Sequence, residues 1–265
     1  MIISISNNKG GVLKTTTTTN LAGVLASYGN KVLIVDADSQ SNVPLCFGAN
    51  PDDYRINLYD ILTSNVPVEE AIYKVHKNID IIPSNDSLKD IQVDEAKTKT
   101  RPELVSLFKN KIYHLKERYD YILIDTPPNL DSLTGNAFVI SDYVVIPHQP
   151  ELFSMRSLGK VIDNILECKE YMNPKLEIIG VLITLIDGRT KVHNEFIQET
   201  NKDLDGYDLT IFDTFVPKTI EFENSFAYKR VPLTLSKRSS EYKHVYYDVW
   251  KEIEERIDKK VKVGN

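Results

Sequence analysis

The stretch NNKGGVLKTTTTTN, residues 7–20, follows a run of β-formers, Ile2-Ile3-Ser4-Ile5-Ser6, and runs into a helical pattern. A glycine-containing turn between a buried strand and a helix is the arrangement that cradles phosphate. Gly10 and Gly11 allow a tight turn that gathers backbone N–H groups. Lys14 adds a mobile positive charge, Thr15 a hydroxyl suited to Mg²⁺, and the helix start presents free N–H groups and the positive end of its dipole. The usual loop, G-x-x-x-x-G-K-[ST], has glycine where this chain has Asn8 and Leu13. The alternative is a polar connection that happens to contain Gly-Gly and Lys-Thr. The strand before it and the helix after it favour the phosphate loop.

Working outward, apolar β-rich runs recur at KVLIVDAD (31–38), NIDIIPSN (78–85), YDYILIDTPP (119–128), DYVVIPHQP (142–150), LEIIGVLITLI (176–186) and LTIFDTFVP (209–217). Helical patterns separate them: Thr15–Tyr28, closed by Gly29; Pro102–Tyr119, with Leu104, Leu107, Phe108 and Leu115 on one face; Phe153–Tyr171; and Tyr242–Val261. Runs that are apolar throughout, alternating with helices, predict an α/β fold: a doubly wound, mostly parallel sheet with helices on both faces. No repeat and no Gly/Pro/Ser-rich linker interrupts the chain, so a single nucleotide-binding domain over residues 1–265 is expected. Ligands of such sheets bind at the carboxyl ends of the strands. Three polar clusters fall there: Asn8–Thr16, Asp36–Gln40 and Asp125–Pro128.

In the second cluster Asp36 and Asp38 flank one residue at a strand end, so their carboxylates can face the same way. One suits support of a metal's water shell and the other the orientation of an attacking water; a solvated acidic turn is the alternative. In the third, a buried strand ending in Asp125 is the Walker-B arrangement, and Pro127-Pro128 stiffens the exit. Composition narrows the field. The formal net charge of −6 provides no global attraction to nucleic acid, so DNA binding requires a local basic patch. Cys46 and Cys168 form no C-x-x-C pair and read as ordinary thiols. Tyr113 and His148 read as core or rim residues. No signal peptide and no apolar run near ~18 residues is evident, so a cytoplasmic location is expected.

KGGVLKTT, DADSQSN and YILIDTPP, in that order and spacing, resemble the deviant-Walker ParA/MinD family of P-loop ATPases. IPHQPELFSMRSL (146–158) and FDTFVPKTIEFENSFAYKRVPL (212–233) resemble the later segments of ParA/Soj partition proteins. The resemblance covers nearly the whole chain. It implies an ATP- and Mg²⁺-dependent sandwich homodimer for plasmid or chromosome partition, with slow hydrolysis stimulated by a partner. Position by position, Lys9 matches the signature lysine that reaches the partner subunit's nucleotide, and Lys14 the lysine on the β/γ-phosphates. Gly10, Gly11, Val12 and Leu13 fall in the ATP-binding loop. Thr15 matches the Mg²⁺ ligand and Thr16 an α-phosphate contact. Asp38 matches the residue that positions the hydrolytic water, Asp36 and Asp125 lie in metal-supporting positions, and Pro217 falls in the ATP-binding set.

Two departures stand out: Ser39 replaces a proline of the family's D-x-D-P-Q stretch, and Leu13 replaces a glycine. If position 13 requires positive φ, leucine costs about 1–2 kcal/mol there; if its side chain points away from the phosphates, N–H donation survives. ATP binding is expected to persist. The resemblance also implies non-specific DNA binding and nucleoid association in the ATP-bound state, at Lys218, Lys237 and Arg238, with Lys229, Arg230 and Lys243 extending the patch. A ParB-like or small adaptor centromere-binding protein is the expected partner. The chain begins at the first strand, so an N-terminal helix-turn-helix domain is not expected. Two alternatives remain: a MinD-like membrane-associated positioning ATPase, and a nucleotide-gated scaffold with little hydrolysis because of Leu13. Against the first, Glu252, Glu254, Glu255 and Asp258 crowd the last helix beside Trp250, Ile253, Ile257 and Val261, which suits packing on the sheet better than anionic lipid. An iron–sulfur carrier would need a cysteine pair, which the chain lacks.

Overall fold

Strand patterning explains the layers. In β1 (Ile2–Ile5), β2 (Val32–Asp36) and β5 (Tyr121–Asp125), alternate side chains enter opposite cores, and both cores are dry. Ile3, Ile5, Val32, Ile34 and Leu123 point to one face; Ile2, Leu33, Val35, Ile122 and Ile124 point to the other. This is the double burial that the continuous apolar runs predict. The computed structural model describes residues 1–91, 102–151, 154–186, 191–237 and 239–263.

With β3 (Tyr73–His76), β4 (Ile79–Ile82), β6 (Tyr143–His148), β7 (Glu177–Ile186) and β8 (Val216–Pro217), the sheet runs β3-β4-β2-β5-β1-β6-β7-β8. Every pair is parallel except the edge hairpin β3–β4. The fold is therefore the mostly parallel α/β sheet expected of a P-loop NTPase. Helix α1 (Lys14–Ser27) and the carboxyl-terminal helix, Lys243–Val263, cover one face. The helices Ser132–Ile140 and Ser154–Tyr171 cover the other. Chain order reverses around β1: its crossover leads to β2 on one side, whereas β6 lies on the other. A crevice at such a switch point is where ligands enter these sheets.

Three expectations need correction. The predicted helix Pro102–Tyr119 is broken into 3₁₀ turns at Pro102–Val105 and Tyr113–Glu117 around one α-turn, Leu107–Lys111. The cause is Asn136, fully buried on the helix Ser132–Ile140. Its Oδ1 accepts the Phe108 N–H at 3.0 Å and its Nδ2 donates to the Leu104 carbonyl. A continuous helix would pair those two groups with each other, and the amide has replaced that bond. The run 209–217 is not one strand either. It makes a single bridge at Ile211 and the two-residue β8. Between them the N–H groups of Asp213 and Thr214 go to the Glu252 carboxylate, at 2.9 and 3.1 Å. Finally, the buried stripe of the last helix is Tyr246, Val249, Trp250, Ile253 and Ile257, while Val261 is 53% exposed. That stripe packs against the sheet, and among the described residues no helix is long and apolar enough to cross a membrane.

Removing the Asn136 bridge leaves two backbone groups without their side-chain partner, so Asn136→Ala is expected to lower the unfolding free energy by about 1–3 kcal/mol. Urea denaturation checks this, and a change below about 0.5 kcal/mol would show that the bridge is dispensable.

Candidate nucleotide site

The loop after β1 is fixed at its base before it turns. Asn7, buried, donates from Nδ2 to the Pro147 carbonyl at 2.7 Å and accepts the Lys9 N–H on Oδ1 at 2.9 Å. This ties the loop to the end of β6. Gly11 takes φ +75°, and Cβ atoms at Gly10 and Gly11 would meet nothing within 4 Å. The glycine turn is therefore open where a phosphate would approach. The Thr184 hydroxyl donates to the Val12 carbonyl at 3.3 Å, holding the loop to β7.

Leu13 has φ 64° and ψ 31°, the left-handed region, and precedes α1. The position does require positive φ, so leucine carries a strain of about 1–2 kcal/mol. Its half-buried side chain packs on the core beneath α1. The strain belongs to the folded conformation of the loop.

Lys14 is buried at the start of α1, its Nζ donating to the Lys9 carbonyl at 3.0 Å. Burial lowers its pKa, while the charges of Asp125 and Asp38 pull the other way. One turn along, two threonines on one helical face reach the same carboxylate: Thr15 Oγ1 donates to Asp125 Oδ2 at 2.6 Å and Thr18 Oγ1 to Asp125 Oδ1 at 3.2 Å. The β2–β5 register places Asp36 directly beside Asp125, both buried. Asp36 accepts the N–H groups of Val43 at 3.0 Å and Asp38 at 3.2 Å. Burial raises the pKa of both acids above the carboxylate range; the charge of Asp125 adds to the rise at Asp36, whereas Thr15 and Lys14 oppose it at Asp125. Two adjacent desolvated carboxylates call for a cation. Hard oxygen donors of this kind, with a threonine hydroxyl, fit Mg²⁺, which keeps waters and shares phosphate ligands.

Asp38 is half-buried at the mouth. Its Oδ1 accepts the Gln40 N–H at 3.0 Å, and its carbonyl accepts the Ser41 N–H at 3.0 Å and the Ser84 hydroxyl. Ser41 returns a bond to the Ser84 carbonyl at 2.8 Å. These bonds to Ser84 hold the loop that lacks a proline at Ser39. At the opposite rim the Lys9 ammonium pairs with Glu151, half-exposed, and Asn8 accepts the Ser157 hydroxyl. His148 is buried behind them, its pKa lowered to about 4 by desolvation and by the Lys9 charge.

The fold thus gathers Lys9–Thr16, Asp36, Asp38 and Asp125 at one sheet edge. Thr16, half-buried, takes the Asn20 amide on its carbonyl at 2.8 Å. Pro217 ends β8, three strands from β1. Lys218, Lys229, Arg230 and Lys237 are exposed; Arg238 lies outside the described residues. Lys243 does not extend that patch freely, because its ammonium donates to the Ser236 carbonyl at 2.9 Å. Sequence reading missed Asn7, Thr18, Ser84 and Glu151. Of these, Thr18 alone had a local signal, its spacing of one helical turn from Thr15. Cys46 and Cys168 are buried free thiols.

Residues 1–178 match the family described as AAA domain. A "ParA family protein" of Mycoplasma pneumoniae is 34% identical over 266 residues, covering 96% of this chain and 97% of the relative. Among solved structures, a plasmid partition protein from Borrelia burgdorferi aligns with TM-score 0.71 and 28% identity, covering 97% of this chain and 98% of that one. A cobyrinic acid a,c-diamide synthase from Mycobacterium smegmatis, with bound ATP analogue and magnesium, aligns with TM-score 0.78 and 27% identity over 92% of this chain and 90% of that one. The chain is a P-loop ATPase, and it belongs to the ParA family of partition proteins. The bound ATP analogue and magnesium of that synthase are the ligand and metal expected from the sequence here.

Because Leu13 already sits in the left-handed region, Leu13→Gly is expected to leave the Mg-ATP dissociation constant within about threefold, a shift under about 1 kcal/mol. Isothermal titration checks this, and a tenfold gain in affinity would show that leucine impairs the loop itself.

Proposed function

We propose that this ParA-family ATPase forms an ATP-dependent sandwich dimer that binds DNA non-specifically and hydrolyses ATP slowly until a ParB-like or small adaptor centromere-binding partner stimulates it. The observation that carries the reading is the convergence of Lys14, Thr15, Asp36, Asp38 and Asp125 under an open glycine turn, with Lys9 at the outer rim. Lys14, Thr15 and the loop N–H groups bind and orient the phosphates. Mg²⁺ supplies neutralisation of phosphate charge when bound, with Thr15 holding it and Asp36 and Asp125 in support. Asp38, at the mouth and less buried than the acid pair, orients the attacking water. Lys9 leaves Glu151 and crosses to the second subunit's nucleotide. A cation supplied from another chain makes nucleotide occupancy a condition of dimerisation. Pro217, at the carboxyl end of β8, belongs to the nucleotide-binding set through its family position.

The DNA reading rests on the exposed cations Lys218, Lys229, Arg230 and Lys237. On a chain of net charge −6, such binding is local and salt-sensitive. The membrane-associated alternative is disfavoured because the apolar stripe of the last helix is already spent on the core.

Asp38→Ala is expected to bind Mg-ATP within about threefold of the parent while turnover falls by about 10²-fold or more. Titration and single-turnover hydrolysis measure the two effects; equal loss of both would assign Asp38 to binding. Lys218→Glu with Lys237→Glu should weaken ATP-dependent retention on DNA and reduce the log–log salt slope by about 2. Unchanged retention at every salt concentration would show the patch to be misassigned.

A further inference from the structure

Thr234 ties the end of the basic segment to α1, its N–H and hydroxyl donating to Asn20 at 3.1 and 2.9 Å, and a second contact joins that segment to the loop after β2. Asp36 accepts the Val43 N–H at 3.0 Å, and Val43 belongs to the short helix Asn42–Cys46. That helix is closed by Gly48, whose N–H donates to the Leu45 carbonyl at 3.0 Å, while the Ala49 N–H goes to Pro44 at 3.1 Å. Gly48 has φ +71°, and the stem of Arg230 lies directly on it. A Cβ at Gly48 would fall 2.3 Å from Arg230 Cβ and 2.7 Å from both Cγ and Cδ.

Arg230 is itself left-handed, at φ 55°, and closes a π-helical turn, Ser225–Lys229. Its N–H donates to the Phe226 carbonyl at 3.2 Å, and the Ser225 hydroxyl donates to Val231 at 2.8 Å. Tyr228, Lys229 and Arg230 are exposed on this turn, Tyr228 at 78%. Single π-turns are uncommon and concentrate at functional sites. Two left-handed residues from distant parts of the chain are thus stacked, one with no side chain and the other the cation at the end of the turn. A helix-capping role accounts for the positive φ of Gly48, but asparagine also serves at such a position. Capping does not account for the missing Cβ under the arginine stem.

We infer that Gly48 is a positioning residue: by seating the Arg230 stem on bare backbone, it couples the Asp36 side of the nucleotide site to the placement of Lys229 and Arg230. The inference rests on the proposed nucleotide-dependent DNA binding by that segment, and it supplies the route. A change in the bonding of Asp36 is passed through Val43 and the short helix to Gly48. A shift of Gly48 toward the Arg230 stem presses on it, because the stem lies directly against the Gly48 backbone. Coupling of this kind is reciprocal, so DNA on the basic turn should tighten nucleotide binding by the factor by which nucleotide tightens DNA binding.

The test uses the full chain and two variants. Gly48→Asn tolerates the left-handed backbone but places a Cβ in the arginine stem. Arg230→Gly suits φ 55° and removes the stem while leaving Gly48 intact, which keeps the test open if the first variant does not fold. Amide hydrogen exchange at residues 226–231 is followed with and without Mg-AMPPNP, beside titration of the nucleotide and retention on DNA. In the parent chain, nucleotide is expected to change exchange at the Arg230 amide at least threefold. Both variants should bind nucleotide within about threefold of the parent yet lose that response. In Gly48→Asn the ratio of DNA affinities with and without nucleotide should fall at least tenfold. A parent chain whose 226–231 amides ignore nucleotide, or a Gly48→Asn variant that keeps the response, overturns the coupling. An intact exchange response in the parent, lost in the variants, with no DNA retention in any chain upholds the coupling and removes the DNA-binding reading instead.

Discussion

Two carboxylates placed side by side in a dry interior set the terms for this site. The register that pairs β2 with β5 puts Asp36 next to Asp125 where neither has bulk water. Isolated, such a pair would be costly. The surrounding sequence reads as compensation for it. Thr15 and Thr18 send hydroxyls to Asp125, Val43 and Asp38 send N–H groups to Asp36, and Lys14 supplies the nearest opposite charge to Asp125. The threonine run that looks like low complexity is thus a set of separate duties. Thr15 and Thr18 serve the acid, and Thr17 meets the buried Tyr246 hydroxyl at 3.0 Å on the opposite face of α1. A divalent cation held at Thr15 beside this acid pair would offset the negative charge that remains.

The same site shows where strain is stored and why it does not prevent binding. Leu13 and Gly11 both hold positive φ. A loop held in one shape by its own packing gives up little conformational freedom on binding. The folded chain carries that strain against the packing of the Leu13 side chain on the core. On the rim, the Lys9–Glu151 pair involves half-exposed groups, and exposed pairs contribute little to stability. Lys9 is therefore held at its rim only weakly, whereas Lys14, buried, is held within its own loop.

Most of the fold was legible because long apolar runs and their acidic ends report a parallel sheet and its functional edge directly. The phosphate loop, Asp36, Asp38 and Asp125 were legible for the same reason: each follows a strand. What escaped was decided by single side chains acting across the fold. The helical pattern from Pro102 was sound as local periodicity, yet Asn136, some thirty residues away, took the Leu104 carbonyl and the Phe108 N–H out of the helix. Glu252 did the same to the strand pattern at Asp213 and Thr214. Asn7, Ser84 and Glu151 carry no motif, because their importance comes from where β6, β4 and the segment after β6 end. The sequence left open whether position 13 takes positive φ and where its side chain goes; φ is positive, and the side chain packs on the core.

We propose that Lys9 makes ATP the bond between two subunits. Sedimentation velocity in the Asp38→Ala background, with Mg-ATP, tests it most directly. A nucleotide-dependent dimer is expected with Lys9 intact, and a monomer that still binds ATP when Lys9→Ala is added. A Lys9→Ala chain that dimerises with the same nucleotide dependence would contradict it.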